Sequence, residues 1–242
     1  MNETKNVYKG IIVMRHGERI DMKSPTLQKL SEYDPELTEN GINQAKEVGN
    51  KIKQILNKEI DTINLYSSPF TRTLMTGLNM VKTLNLKNNN IFIANDLFEM
   101  ATPQVFKYNP LDQLLINNKD NKKELYEEFI NKDLQSINNF DKINIYEGKG
   151  EKLKYPENFN DSYNRYSQFA KDIYQKILNE NKNSLNIIVT HGYGVQIITS
   201  YLKGLCCNGN DIIDQDYVIE FCTSYKFKFI DKNTLKYCGR EN

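Results

Sequence analysis

The sequence predicts an α/β fold, a layered domain built on a mostly parallel sheet. Three observations point there. Short apolar runs alternate with amphipathic helical stretches along most of the chain. Two of the runs, around IIVM at 11–14 and LNIIVT at 185–190, are continuously apolar, as in strands covered on both faces. At 242 residues the chain is long enough to bury a large core, yet not clearly long enough for two domains.

Each element has its own signal. Residues 11–14 form the first strand. A polar loop containing SPTL and EYDPEL follows, and LTENGINQAKEVGNKIKQIL then reads as a helix. Thr38 or Asn40 can cap it, and Ile42, Ala45, Val48, Ile52, Ile55 and Leu56 make one apolar stripe. TINLYSS is a second strand. PFTRTLMTGLNMVKTL is a second helix, with Pro69 expected in its first turn. IFIAND is a third strand. NDSYNRYSQFAKDIYQKILNEN is a strong helix with Asn160 or Asp161 as cap, LNIIVTHG a buried strand, and YGVQIITSYLKG the helix after it. DYVIEFCTSYKFKFI and TLKYCG alternate enough to form a hairpin at the sheet edge.

Residues 101–157 break this rhythm. They are polar, rich in Asn, Lys, Glu and Tyr, with one weakly periodic piece around 122–137. Long inserts in compact domains are usually functional or disordered. Phe98, Phe106, Tyr108, Phe129 and Phe140, spread through or beside this one, favour a lid or substrate-facing subdomain.

Composition excludes several function classes. Lys plus Arg is 32 and Asp plus Glu is 31, so no global field points to nucleic acid or to a membrane. The cysteines, Cys206, Cys207, Cys222 and Cys238, have no C-x-x-C spacing and no nearby histidine, which argues against zinc and disulfides. The Cys206–Cys207 pair reads as core packing. No signal-peptide core or membrane-length apolar run is present, so a cytoplasmic protein is expected. Only five arginines occur, at 15, 19, 72, 165 and 240, in a chain rich in lysine and asparagine. That excess looks like nucleotide bias, and it makes each arginine stand out.

The chemistry gathers at strand ends. The chain has two histidines, His16 after IIVMR and His191 after IIVT, each followed by glycine. In open α/β sheets, ligands bind beyond the carboxyl ends of the strands, where both imidazoles are expected. Arg15 and Arg19 flank His16, and Arg72 opens the helix after the second strand. Guanidinium suits multi-donor capture of phosphate oxygens, and helix N-termini add backbone donors. A neutral imidazole in such a pocket can attack phosphorus, and nearby arginines favour its neutral form. No metal or cofactor is expected. The leaving oxygen needs a proton from a carboxylic acid. Glu99 in DLFEM is a candidate, in competition with Asp96, Glu18 and Asp21.

RHGE after an apolar strand, LTENGINQA, YSSPFTRT and late VTHG, in that order, resemble the histidine phosphatase superfamily, the phosphoglycerate-mutase-like group. The resemblance runs from about residue 10 to 205. It implies a single domain over 1–242, a three-layer α/β/α sandwich with the insert (roughly 101–157) as a lid over the site. It also implies His16 as the phosphorylated nucleophile, Arg15 and Arg72 as phosphate ligands, His191 completing the pocket, and Glu99 in the acid position. Cofactor-dependent mutases carry Ser or Thr and then Trp-Asn shortly after RHGE; here RHGERIDMK follows, in a chain without tryptophan. The acid phosphatase and phytase branch has Asp directly after the second histidine, where this chain has Gly192. RHGERID, LFEM and the long insert before YPENFNDSYNRYSQ are most similar to the phosphatase domains of T-cell-signalling suppressor and steroid-phosphate phosphatase proteins, which adds Arg19 to the pocket.

The expected activity is a metal-independent phosphomonoesterase acting through phosphohistidine. Its substrate would be a phosphorylated small molecule or a phosphoprotein: an aryl, phosphotyrosine or steroid-like ester. No nucleic-acid or membrane partner is expected, and a homodimer is compatible with the reading. The alternatives are a phosphoglycerate mutase or sugar bisphosphatase, and a catalytically silent phosphate-binding protein.

Overall fold

A computed structural model describes residues 8–23, 34–56, 60–85, 88–113, 140–149, 153–206, 219–231 and 233–242. Its centre is a seven-stranded sheet. The strands are β1 (Lys9–Arg15), β2 (Thr62–Ser67), β3 (Asn89–Ala94), β4 (Phe140–Tyr146), β5 (Ser184–Thr190), β6 (Ser224–Phe229) and β7 (Leu235–Glu241). Their spatial order is β4-β3-β2-β5-β1-β6-β7. The first five run parallel, and β6 and β7 add an antiparallel hairpin beside β1.

Four long helices among the described residues cover the sheet: α1 (Glu39–Ile55), α2 (Thr71–Leu84), α3 (Phe159–Leu178) and α4 (Gly192–Gly204). The period-2 alternation of the strands decides which face each side chain meets. Ile12 and Met14 point towards α1 and α2, joining Ala45, Val48, Ile52, Leu74, Leu78 and Val81. Ile11 and Val13 point the other way, joining Tyr166, Phe169 and Ile173 of α3 and Val195 and Ile198 of α4. The result is an α/β/α sandwich. Both central faces are dry, which is why β1, β2 and β5 are buried along nearly their whole length.

Some polar residues also lie in this core. Asn90 Nδ2 donates to Asn64 Oδ1 at 3.0 Å, and Asn64 Nδ2 donates to Asn186 Oδ1 at 2.9 Å. This amide ladder crosses β3, β2 and β5 and satisfies groups that would be costly to bury alone. Composition bias therefore does not account for every asparagine.

Three expectations need correction. Pro69 lies before the N-cap of α2, Phe70, rather than in the first turn. The helix starts later because the Asp34 carboxylate accepts from Thr71 N (2.8 Å) and Thr71 Oγ1 (2.7 Å) and caps it from a distant loop. α3 is capped by Asn158 instead of Asn160 or Asp161, and Asp161 closes a reciprocal capping box. The insert is more than an excursion from the sheet, since its residues 140–146 pair with β3 as the edge strand β4.

The flanks of the insert meet beside the sheet. Phe106 and Leu111 pack with Leu153 and Tyr155 around Phe70 and Phe98, and Tyr155 Oη donates to Phe106 O at 2.8 Å. Tyr108 is exposed. The expected helical piece around 122–137, Phe129 and Cys207 lie outside the described residues. Of the expected Cys206–Cys207 packing, Cys206 lies against the α3–α4 core.

Candidate active site

Strand register brings the histidines together. Arg15 pairs with Thr190 across β1 and β5, so the next residues, His16 and His191, leave the sheet side by side. His16 N donates to Thr190 O at 3.1 Å and Ser68 N to Val189 O at 3.1 Å, extending the ladder by one step on each side of β5. The two imidazole centroids are 5.4 Å apart. Both rings are buried, His16 at 1% exposure and His191 at 0%.

The turn after His16 is fixed by close backbone approach. A Cβ on Gly17 would stand 2.6 Å from Gly41 O, and one on Gly41 would stand 2.4 Å from Glu18 O. Only glycine allows the loop and the start of α1 to pack so tightly. Glu18 completes the joint, accepting from Thr38 Oγ1 (2.7 Å) and Asn40 Nδ2 (3.2 Å), while its own N–H donates to Gln44 Oε1 (3.0 Å). RHGE and LTENGINQ are thus two sides of one contact. Gly17 N donates to Thr76 Oγ1 of α2 at 3.0 Å.

The His16 ring is oriented by the same turn. Its Nδ1 lies 2.8 Å from Gly17 O. A carbonyl oxygen can only accept, so Nδ1 carries the proton. Burial, then the Arg72 guanidinium and the His191 ring, hold the His16 pKa well below its ordinary value. A neutral ring protonated at Nδ1 leaves the Nε2 lone pair unprotonated.

Around this ring the charges form a compact set. Arg72, 1% exposed, donates through Nη2 to Glu99 Oε2 at 2.6 Å. His191 Nδ1 lies 3.3 Å from both groups, and His191 Nε2 lies 2.9 Å from Ser68 Oγ. The Arg72 guanidinium stacks on Phe70 at 4.1 Å, and its Nη1 is 3.7 Å from Asp34 Oδ1. Burial brings the His191 pKa down to about 4; Glu99 opposes this fall and Arg72 adds to it. Burial alone would raise the Glu99 carboxyl, but the His191 ring and the Arg72 guanidinium hold it well below the usual carboxylate range. At neutral pH the set is a carboxylate, a guanidinium and two neutral imidazoles.

Arg15 approaches from the other side. Its guanidinium stacks on Phe221 at 4.3 Å and donates through Nη1 to Ile219 O. Arg15 Nε, Arg72 Nε and Arg72 Nη1 are buried donors with no hydrogen-bond partner, a cationic arrangement suited to an anion. Arg19 is differently engaged: Nε donates to Asp21 Oδ1 at 2.9 Å, and Nη2 pairs with Asp21 Oδ2. It is still near enough to lower the Arg15 and Arg72 pKa values, after burial.

The structure thus brings His16, His191, Glu99, Arg72 and Arg15 to one place, with Arg19, paired to Asp21, beside them. Of the competing carboxylates, Glu18 serves the α1 joint and Asp21 serves Arg19. Asp96 lies under the backbone at Gly148. Sequence reasoning missed Ser68 and Asp34; the only signal was their position at a strand end and in a loop facing a helix start. Among the described residues, no group of three or more His, Cys, Asp or Glu side chains could hold a metal ion. No described helix is long and apolar enough to cross a membrane.

Residues 11–104 match the sequence model of the histidine phosphatase superfamily (branch 1). A comparison with curated protein sequences finds no match. Among solved structures, the ecdysone phosphate phosphatase from Bombix mori in complex with tungstate is similar at a TM-score of 0.66 and 14% identity, over 96% of this chain and 92% of that one. The phosphoglycerate mutase from Bacillus anthracis follows at 0.52 and 15%, over 98% and 95%. The phosphoserine phosphatase from Entamoeba histolytica in complex with 3-phosphoglyceric acid gives 0.51 and 18%, over 97% of each chain. At these identities the likeness is one of fold. The chain therefore carries the histidine phosphatase pattern across residues 11–104 and the histidine phosphatase fold over nearly its whole length.

Proposed function

We propose that the chain is a metal-independent phosphomonoesterase that transfers the phosphoryl group to His16 and then to water. The observation that carries this reading is the bare Nε2 of a neutral, buried His16, fixed by Gly17 O and set among Arg15, Arg72, His191 and Glu99. Nε2 attacks phosphorus as the bond to the leaving oxygen breaks. Arg15, Arg72 and His191 stabilise the equatorial oxygens.

Glu99 has a part that depends on the ligand. In the free protein it is an ionised partner of Arg72. A phosphate bound to Arg72 takes over that charge and releases the carboxylate, whose pKa then rises. The proton for the leaving group arrives with a monoanionic ester, passes to Glu99 and then to the departing oxygen. In the second half, Glu99 removes a proton from the water that attacks phosphohistidine. A phosphate monoester has its second pKa near about 6, so kcat/KM falls as pH rises beyond that value.

The substrate class proposed, an aryl or steroid-like ester or a phosphotyrosine, rests on the likeness of RHGERID and LFEM to the steroid-phosphate phosphatase group, since Phe70, Phe98 and Phe106 beside the site are buried core rather than a substrate-facing surface. The test is hydrolysis of p-nitrophenyl phosphate in EDTA, with phosphoglycerate interconversion run in parallel. Turnover that survives chelation and vanishes in His16→Ala supports the reading. Dependence on a metal, full activity of His16→Ala, or equal rates of interconversion would contradict it.

A further inference from the structure

Arg165 is one of only five arginines, is 2% exposed, and takes no part in the chemistry above. Its guanidinium lies behind the loop that presents Glu99. Nη1 donates to Asp96 O at 2.7 Å and to Phe98 O at 2.9 Å. Nε and Nη2 form a fork on Glu157, 2.7 Å to Oε1 and 2.8 Å to Oε2. Glu157 Oε2 accepts from Ala101 N at 2.9 Å, and Glu157 N donates to Ala101 O at 2.8 Å. Tyr166 Oη also donates to Phe98 O, and Thr190 Oγ1 donates to Leu97 O at 2.9 Å. The backbone is thus clamped at 96, 97 and 98 before Glu99 and at 101 after it.

We infer that the buried Arg165–Glu157 pair is a positioning device that holds the Glu99 carboxylate at the Arg72–His191 corner, an inference resting on the phosphatase reading for its catalytic meaning. A buried ion pair is a poor way to gain stability, because desolvation offsets most of its attraction and an apolar pair of similar size does as well. What an apolar pair cannot do is hold two carbonyls and an amide of one short loop in fixed relation. Guanidinium and carboxylate do so with five hydrogen bonds aimed at the backbone around Glu99 or at each other. Lysine keeps the charge but lacks the fork.

The test compares esters that differ only in leaving group. p-Nitrophenoxide leaves without a proton, whereas an alkoxide needs one from Glu99. A displacement of about 1 Å at a catalytic group costs about 100-fold. Arg165→Lys is therefore expected to lower kcat/KM, which reports transfer to His16 and not the later hydrolysis in which Glu99 serves both esters alike, about 100-fold on an alkyl phosphate and at most about threefold on p-nitrophenyl phosphate. A merely structural role would lower both equally. The second readout needs no turnover: the ¹³C carboxyl titration of Glu99, assigned with Glu99→Gln, moves up in Arg165→Lys. If that variant does not fold, Arg165→Met with Glu157→Gln, which removes both buried charges, is measured in the same way. Parallel losses on the two esters, or an unmoved Glu99 titration, would overturn the inference. A wild type inactive on both esters counts against the phosphatase reading, and the Glu99 titration then still decides the positioning.

Discussion

Lowering the pH from 7.5 to 5.0 should destabilise the fold by an amount that the two histidines set. His191 titrates near 6.5 when unfolded and near about 4 when folded. Its folded pKa is depressed, so below 6.5 the unfolded chain takes up a proton that the native state refuses. The stability it contributes is complete above 6.5 and is lost as pH falls towards 4. At pH 5.0 the gap is about 1.5 pH units below the unfolded pKa, worth about 2 kcal/mol at 1.36 kcal/mol per unit. His16 is lowered in the same direction, by burial and then by the Arg72 guanidinium, and adds to the loss. The Glu99 carboxyl is also lowered, but its contribution is lost only below the ordinary carboxylate range. Burial raises Asp34 and Asp96, which work weakly against the trend. Urea unfolding at a series of pH values measures the effect, and a loss of about 2 kcal/mol or more is expected against a typical 5–15. His191→Gln should make the slope shallower. A stability flat within about 1 kcal/mol over this window, or a slope unchanged in His191→Gln, would refute the reasoning.

The remaining predictions concern single side chains. Gly17→Ala forces a Cβ to within 2.6 Å of a backbone oxygen, so urea unfolding should show a loss of about 1–3 kcal/mol or more, and His16 should move with it. Ser68→Ala leaves His191 Nε2 buried without its 2.9 Å partner; thermal unfolding should report a loss of about 1–3 kcal/mol, with kcat reduced. Arg72→Lys keeps a charge but not the planar stacking on Phe70, and kcat on p-nitrophenyl phosphate should fall about 100-fold or more.

Much of this fold was legible because its signals are local. A continuous apolar run such as IIVM has no stable place except between two helical layers, and the period of 3.6 in α1 and α3 survives a biased composition. The site was legible for a related reason: both histidines and Arg72 follow strands of a parallel sheet, and such strands deliver their ends to one edge. What escaped depends on distance along the chain. Asp34 caps α2 from a loop 37 residues away, so Pro69 looked better placed for the first turn than it is. β4 is a short edge strand, FDKINIY, whose Ile143 and Ile145 sit in a stretch rich in Asn and Lys, so no long apolar run advertises it. Arg165 and Glu157 acquire meaning only through backbone atoms some 60 residues earlier, and nothing in NRYSQ or YPEN marks them except the scarcity of arginine. Arg19, expected in the pocket by resemblance, pairs with Asp21 two residues on and interacts with Glu99, Arg15 and Arg72 as well.

The central claim is that His16 itself carries the phosphoryl group. The direct measurement is a rapid acid-free quench of the protein with ³²P-labelled substrate, followed by mapping of the label. A phosphoramidate on His16, stable to base and labile to acid, absent from His16→Ala and chased by water at the rate of turnover, is the predicted result. Turnover without any label on His16, or label retained in His16→Ala, would contradict it.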